Sequence, residues 1–349
     1  MLVCIGLLMP FQMGIAEDCP EDIKRPKKFQ KVELPNGAHY LIHVPKEYEA
    51  NGEWGIMLIL HGQCQNTDGM MNAFLYGCEG GTSFFKNHKY IGIVPQARKE
   101  VWGQRENTPM LALLDTLTTY RVNRGRVHLF GTSAGGWFTG WLGYERPDVF
   151  KTMTIVAAGL GLADKRAVRK FEDRPVYFLV GETDDNLKHA RRDFEKLVSH
   201  GNDYARLNVV EGEGHQIRYW KRFDVLSTYY KAIESGFDYA GKLKKAESLV
   251  TKDLKQAIAI SREFKQQPKE EVFWSKYQEL RKRIDEEGLK RLKMMLYRLK
   301  GKRKKLVTAL ASFEKMFEGF PVAQKATEVK EKLSEPEKKT PPEEDDKGE

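Results

Sequence analysis

Residues 127–136 read VHLFGTSAGG, an apolar run that ends in the pattern Gly-x-Ser-x-Gly. The apolar run predicts a buried β-strand, and the spacing of the residues after it predicts a helix. A serine on a sharp turn between a strand and a helix stands clear of the hydrogen-bonded backbone, and its neighbours must be nearly free of side chains. Gly131 and Gly135 give that room, so Ser133 is a candidate nucleophile.

The sequence around this turn predicts a doubly wound α/β sheet. Residues 31–34 and 38–44 flank an Asn-Gly pair that is typical of a hairpin turn. Short apolar runs follow at residues 55–60, 91–94, 127–130, 153–158, 176–180 and 207–210. Such runs are typical of parallel strands that helices cover on both faces. Helical spacing appears between and after the runs, at residues 110–117, 137–144, 190–198 and 217–235. This alternation predicts the α/β class with a mostly parallel sheet.

The composition changes at about residue 239, where Lys-rich helical patterns replace the strand-like runs. We predict one helix over 243–260, a second over 272–299 interrupted near Gly288, and a final pair over 306–317 and 322–333. Residues 334–349 contain a Pro-Pro-Glu-Glu-Asp-Asp run and predict a disordered acidic tail. Most of the net charge of +9 belongs to this part, because residues 1–240 carry 30 Lys/Arg against 29 Asp/Glu, whereas residues 241–349 carry 28 against 20.

The first residues resemble a targeting segment. Residues 2–16 form a short apolar stretch that ends in Gly-Ile-Ala and precedes two acidic residues. This pattern predicts a signal peptide over 1–16 and a secreted or periplasmic protein with no transmembrane segment in the mature chain. The predicted order is then a catalytic domain over 17–238, a helical basic region over 239–333 and the acidic tail over 334–349.

Three cysteines would stay in the mature chain, Cys19, Cys64 and Cys78. An odd number in an oxidising compartment predicts one disulfide and one free thiol, with the pairing left open. No spacing of cysteine and histidine resembles a zinc site, so we expect no metal.

Candidate partners for Ser133 follow the last two apolar runs. A serine hydroxyl needs a histidine to take its proton, and that histidine needs an acid to orient it. In the order nucleophile, acid, histidine, the chain offers Asp184 after one run and His215 in a glycine-rich loop after the next. Both lie at the carboxyl ends of strands, where open α/β sheets build their sites. Asp185 is the alternative acid.

An acyl-transfer site also needs two N–H groups for the developing oxyanion. Ala134, directly after the serine, supplies the first. The turn after the run at 55–60 is placed to supply the second, through Gln63 or alternatively Cys64. His61 in the same turn is interpreted mainly as a residue that holds the loop by hydrogen bonds, and alternatively as a pocket residue. Trp102 is interpreted either as a pocket wall or as a core side chain.

These motifs together resemble secreted esterases grouped with feruloyl esterases and poly(3-hydroxybutyrate) depolymerases. The resemblance covers residues 30–235 and rests on Leu-His-Gly at 60–62, Val-Pro-Gln at 94–96, residues 126–136, Pro-Asp-Val-Phe at 147–150, Gly181 with Asp184, and Gly-His at 214–215. It implies an α/β-hydrolase fold, a triad of Ser133, Asp184 and His215, and hydrolysis of carboxylic esters without a cofactor. The sequence departs from the usual His-Gly-Cys-Gly of such esterases, since His61-Gly62 is followed by Gln63-Cys64.

Two other functions fit the same residues. A serine peptidase of the prolyl-oligopeptidase type shares the triad and its order. A binding or scaffold protein is the other alternative, because residues 281–305 hold 12 Lys/Arg against three acids and could engage an anionic polymer or surface. Nucleic acid is disfavoured as a partner if the chain is exported. The leading prediction is an esterase that acts on a polymeric or small ester substrate.

Overall fold

A computed structural model describes residues 28–63, 67–78, 83–99, 102–162, 165–267, 269 and 271–334. The chain divides into two compact units, Met1–Glu234 and Ser235–Glu349. The predicted signal peptide at 1–16, residues 335–349 of the acidic tail predicted over 334–349, and Cys19 and Cys64 lie outside the described residues, whereas Ser334 ends a helix.

The first unit is built on one sheet of eight strands: β1 Gln30–Glu33, β2 His39–His43, β3 Gly55–Leu60, β4 Tyr90–Pro95, β5 Val127–Thr132, β6 Thr152–Val156, β7 Val176–Gly181 and β8 Arg206–Val210. Their order across the sheet is β1-β2-β4-β3-β5-β6-β7-β8. The first two strands pair antiparallel, and β2 pairs antiparallel with β4. All the later pairs are parallel. The predicted α/β class with a mostly parallel sheet is therefore confirmed.

Seven helices accompany the sheet among the described residues: α1 Thr67–Tyr76, α2 Phe84–His88, α3 Thr108–Thr119, α4 Ala134–Glu145, α5 Lys165–Arg169, α6 Leu187–Ser199 and α7 Phe223–Glu234. Alternate strand residues point to opposite faces, so Leu58 and Leu60 join one hydrophobic cluster and Met57 and Ile59 join another. Apolar side chains of α3, α4 and α6 pack into the first cluster. Those of α1, α2 and α7 pack into the second. Burial on both faces explains why the central strands read as continuous apolar runs.

The second unit consists of five α-helices within its described residues: α8 Tyr239–Leu249, α9 Leu254–Glu263, α10 Glu271–Arg298, α11 Arg303–Met316 and α12 Pro321–Ser334. Its core includes Tyr239, Phe264, Tyr277 and Phe317, each at most 2% exposed. The rings of Phe264 and Tyr277 stack with centroids 5.2 Å apart. Buried aromatic pairs of this kind add to the stability of the helical unit.

Two helix predictions for this unit are wrong. The single helix over 243–260 is two helices, because Asp253 caps α9 by accepting a hydrogen bond from the main-chain N–H of Gln256 at 3.0 Å. The interruption near Gly288 is absent, since α10 runs unbroken through it. Gly288 is required by packing instead: a Cβ placed there would lie 2.5 Å from a ring carbon of Phe317.

Candidate active site

Ser133 occupies the turn between β5 and α4. Its backbone has φ 49° and ψ −116°, a conformation that residues with side chains seldom adopt. Its N–H donates to the carbonyl of Val156 at 2.9 Å, and its own carbonyl accepts from the N–H of Trp137 at 3.0 Å. Hydrogen bonds on both sides therefore hold the strained residue in place, and strain that is held in this way is a mark of functional positions.

Two glycines make this turn sterically possible. A Cβ on Gly131 would lie 2.6 Å from the carbonyl carbon of Gly135, and a Cβ on Gly135 would lie 2.5 Å from the carbonyl oxygen of His61. Both obstacles are backbone atoms, which cannot rotate away. The helix start and the end of β3 thus approach each other more closely than any side chain would allow. The sequence pattern Gly-x-Ser-x-Gly has this physical cause here.

A third glycine brings the acid and the histidine together. Gly181 ends β7, and a Cβ on it would lie 2.7 Å from the main-chain carbonyl carbon of Glu213. The loop after β8 can therefore pack directly against the end of β7. The N–H of Thr183 donates to the carbonyl of Glu213 at 3.0 Å and fixes this contact. Asp184 and His215 follow on the two sides of it.

The structure places three predicted side chains in one hydrogen-bonded chain. Ser133 Oγ lies 2.8 Å from His215 Nε2. His215 Nδ1 lies 3.1 Å from Asp184 Oδ1 and 3.2 Å from Asp184 Oδ2. The Asp184 side chain is fully buried, whereas the imidazole of His215 is 30% exposed. The alternative acid, Asp185, is exposed, and no described contact joins it to the histidine.

Asn186 is a site residue that the sequence analysis missed. Its main-chain N–H donates to Asp184 Oδ1 at 2.8 Å. Its side-chain Nδ2 donates to the carbonyl of Ala157 at 3.0 Å and lies 3.4 Å from His215 Nδ1. The residue thereby ties the acid to the loop after β6. The Asp-Asp-Asn sequence at a strand end was a signal for it, because such residues favour turns that bond to their own backbone.

The candidate oxyanion donors lie beside the serine. Ala134 is the first residue of α4, where helix N–H groups have no partner within the helix. A Cβ built on Gly62 would lie 3.5 Å from Cβ of Ser133, so the turn after β3 borders the nucleophile. Gln63, the next residue, is exposed. Cys64, the alternative, lies outside the described residues.

His61 and Trp102 are buried and bonded to the loop backbone. His61 Nδ1 donates to the carbonyl of Gly62 at 2.6 Å, while Nε2 accepts from the N–H of Ala97 at 3.0 Å. Burial lowers the pKa of His61 to about 4, which keeps it neutral. The indole N–H of Trp102 donates to the carbonyl of His61 at 2.8 Å, and its ring stacks on Phe138. Both residues therefore support the turn that borders Ser133.

The described residues contain no group of three or more His, Cys, Asp or Glu side chains that could hold a metal ion. In the same part of the chain no helix is both long and apolar enough to cross a membrane. Cys78 is half-buried and forms no disulfide with another described residue, and burial raises the pKa of its thiol to about 11.

A sheet in this order, with a strained serine after β5, an acid after β7 and a histidine after β8, defines the α/β-hydrolase fold. No protein-family model matches the chain, and no curated protein matches it. Solved structures that resemble it include a thermostable esterase, with 19% identity, a TM-score of 0.47, and coverage of 56% of this chain and 60% of that one.

Two further solved structures that resemble the chain are an esterase module and a peptidase. The feruloyl esterase module from Clostridium thermocellum matches with 13% identity and a TM-score of 0.46, over 62% of this chain and 91% of that one. The acylaminoacyl peptidase of Pyrococcus horikoshii matches with 11% identity and a TM-score of 0.45, over 59% of this chain and 42% of that one. This chain thus spans less than two thirds of the length of the thermostable esterase and of the peptidase.

Proposed function

We propose that this protein is a serine hydrolase that cleaves carboxylic esters through an acyl-enzyme. The observation that carries the proposal is the 2.8 Å contact between Ser133 Oγ and His215 Nε2, made from a strained turn. A serine hydroxyl is a weak nucleophile until a base within hydrogen-bond reach takes its proton. The carboxylate of Asp184, 3.1 Å from the far side of the imidazole, completes the arrangement.

The first half of the reaction follows from these contacts. Neutral His215 carries its proton on Nδ1, which donates to Asp184, so the lone pair on Nε2 faces the serine hydroxyl. Ser133 Oγ attacks the ester carbonyl carbon while Nε2 takes its proton. The tetrahedral intermediate then collapses, the bond to the alcohol oxygen breaks, and the alcohol leaves with the proton from Nε2. Ser133 is left as an acyl ester.

The second half repeats the sequence with water. His215 Nε2 takes a proton from a water molecule, whose oxygen attacks the acyl carbonyl carbon. Collapse of the second intermediate returns the proton to Ser133 Oγ and releases the carboxylic acid. In both halves the N–H of Ala134 and that of Gln63 are the proposed donors to the oxyanion.

Ester substrates are favoured by the motifs in residues 30–235, which resemble those of secreted esterases. The proposed substrates are acyl esters of polysaccharides, polyesters or related small molecules, and the proposed location is outside the cytoplasm. A prolyl-oligopeptidase-type peptidase would use the same triad on amide bonds. Ester and amide substrates therefore have to be compared directly.

The test is a substrate panel on the wild-type chain and on Ser133→Ala. The panel contains acetyl, short hydroxyacyl and feruloyl esters beside aminoacyl amides. We expect turnover of at least one ester class and its loss in Ser133→Ala, because the variant lacks the attacking oxygen. Turnover of amides alone would overturn the esterase proposal in favour of a peptidase. Ester turnover that survives Ser133→Ala would rule out Ser133 as the nucleophile.

A further inference from the structure

The end of α10 and the start of α11 form a basic surface that the hydrolase site does not use. Residues 288–313 hold nine Lys/Arg and no acidic residue. We call Lys290, Lys293 and residues 298–305 the basic corner. The cations Lys293, Arg298, Lys300, Lys302, Lys304 and Lys305 are exposed and form no ion pair with any described residue. Such a density of unpaired cations favours an anionic partner.

Two large apolar side chains lie exposed on the same surface. Tyr297 is 83% exposed and Met294 is 50% exposed. With Lys290 and Lys293 they occupy positions i, i+3, i+4 and i+7 of α10, which share one helix face. Tyr277 of the same helix is 1% exposed. The helix therefore buries one face in the helical unit and presents a mixed basic and apolar face to solvent.

We propose that the basic corner, with Met294 and Tyr297, binds an anionic lipid surface. Clusters of four to eight Lys/Arg on a helical surface are attracted to anionic headgroups, and each cation near the surface contributes about a fivefold change in partitioning. Tyrosine is enriched at the headgroup level of membranes, and methionine adds apolar area that can be buried there. A polyanion that offers only charge would leave the exposed methionine without a role. This inference is independent of the proposed hydrolase activity.

The experiment is co-sedimentation of the full chain with vesicles of phosphatidylcholine, with and without phosphatidylglycerol. The variant K300E/K302E/K304E reverses the charge at three positions of the basic corner. The matched control, K245E/K252E/K255E, changes three exposed lysines elsewhere in the same helical unit. We expect binding that requires phosphatidylglycerol and that weakens with added salt. The corner variant should bind about 100-fold more weakly, at roughly fivefold for each cation lost, and the control should bind normally.

A second variant distinguishes a lipid surface from a soluble polyanion. M294S/Y297S keeps every charge and alters only exposed side chains, so circular dichroism should show an unchanged fold. We expect it to bind phosphatidylglycerol vesicles more weakly and to stay on a heparin column as long as the wild type does. Binding to heparin without binding to vesicles would overturn the lipid proposal. Equal losses in the corner variant and in the control would overturn the assignment of the surface.

Discussion

Replacing Asp184 by asparagine should lower kcat/KM by about 10⁴-fold. When His215 takes the serine proton it becomes a cation, and a carboxylate oxygen lies 3.1 Å from its Nδ1. Unit charges at that distance attract by about 5 kcal/mol at an effective dielectric constant of about 20, which corresponds to about four powers of ten in rate. An amide keeps the shape of the side chain but provides neither this charge nor two acceptor oxygens.

The assay is ester hydrolysis by the wild type, Asp184→Asn and the matched variant Asp185→Asn. The exposed Asp185 has no described contact with His215, so its substitution should leave kcat/KM close to the wild-type value. Thermal unfolding of all three proteins controls for stability. Equal losses in the two variants, or a loss confined to Asp185→Asn, would refute the assignment of the acid.

Three further outcomes follow from the packing of the first unit. Gly135→Ala should lose activity and about 1–3 kcal/mol of unfolding free energy, because its Cβ would lie 2.5 Å from the carbonyl oxygen of His61. Urea denaturation measures the loss of stability. An active, fully stable variant would contradict this prediction. Burial lowers the pKa of His61 and of His88 to about 4 each, below the unfolded value of 6.5. Unfolding free energy should therefore be highest above pH 6.5, fall between pH 6.5 and 4, and level off for these groups below pH 4, and a flat profile would contradict it. Glu234→Gln should cost about 3 kcal/mol in the same assay, since the buried His128 and the partly buried Arg126 would lose their shared carboxylate.

The sheet was predictable because its central strands are buried on both faces. The run at 55–60 matches β3 residue for residue, and the other runs differ from their strands by one or two residues at an end. The first and last residues of a strand are set by hydrogen bonds to the neighbouring strands, and the apolar pattern does not record these bonds. Helices α1, α2 and α5 were not predicted, and α2 and α5 have only five residues each, too few for an apolar period to show.

Tertiary packing decided the features that the sequence analysis missed. Gly288 resembles a helix breaker in the sequence, but it sits where Phe317 leaves no room for a side chain. The apolar spacing of residues 243–260 continues across the break at Asp253, because each of the two helices buries an apolar face. In the site, the positions of Ser133, Asp184 and His215 followed from strand ends. The bridging role of Asn186 depends on the loop after β6, whose path required the structure.

The central claim is that Ser133 is an activated nucleophile, and a fluorophosphonate probe tests it most directly. The probe phosphonylates serines whose hydroxyl is activated by a neighbouring base. Peptide mass spectrometry of the labelled wild type should find one adduct, on Ser133, and none in Ser133→Ala; His215→Ala should label far more slowly. A folded wild-type chain that remains unlabelled, or that carries its adduct on another serine, would contradict the account.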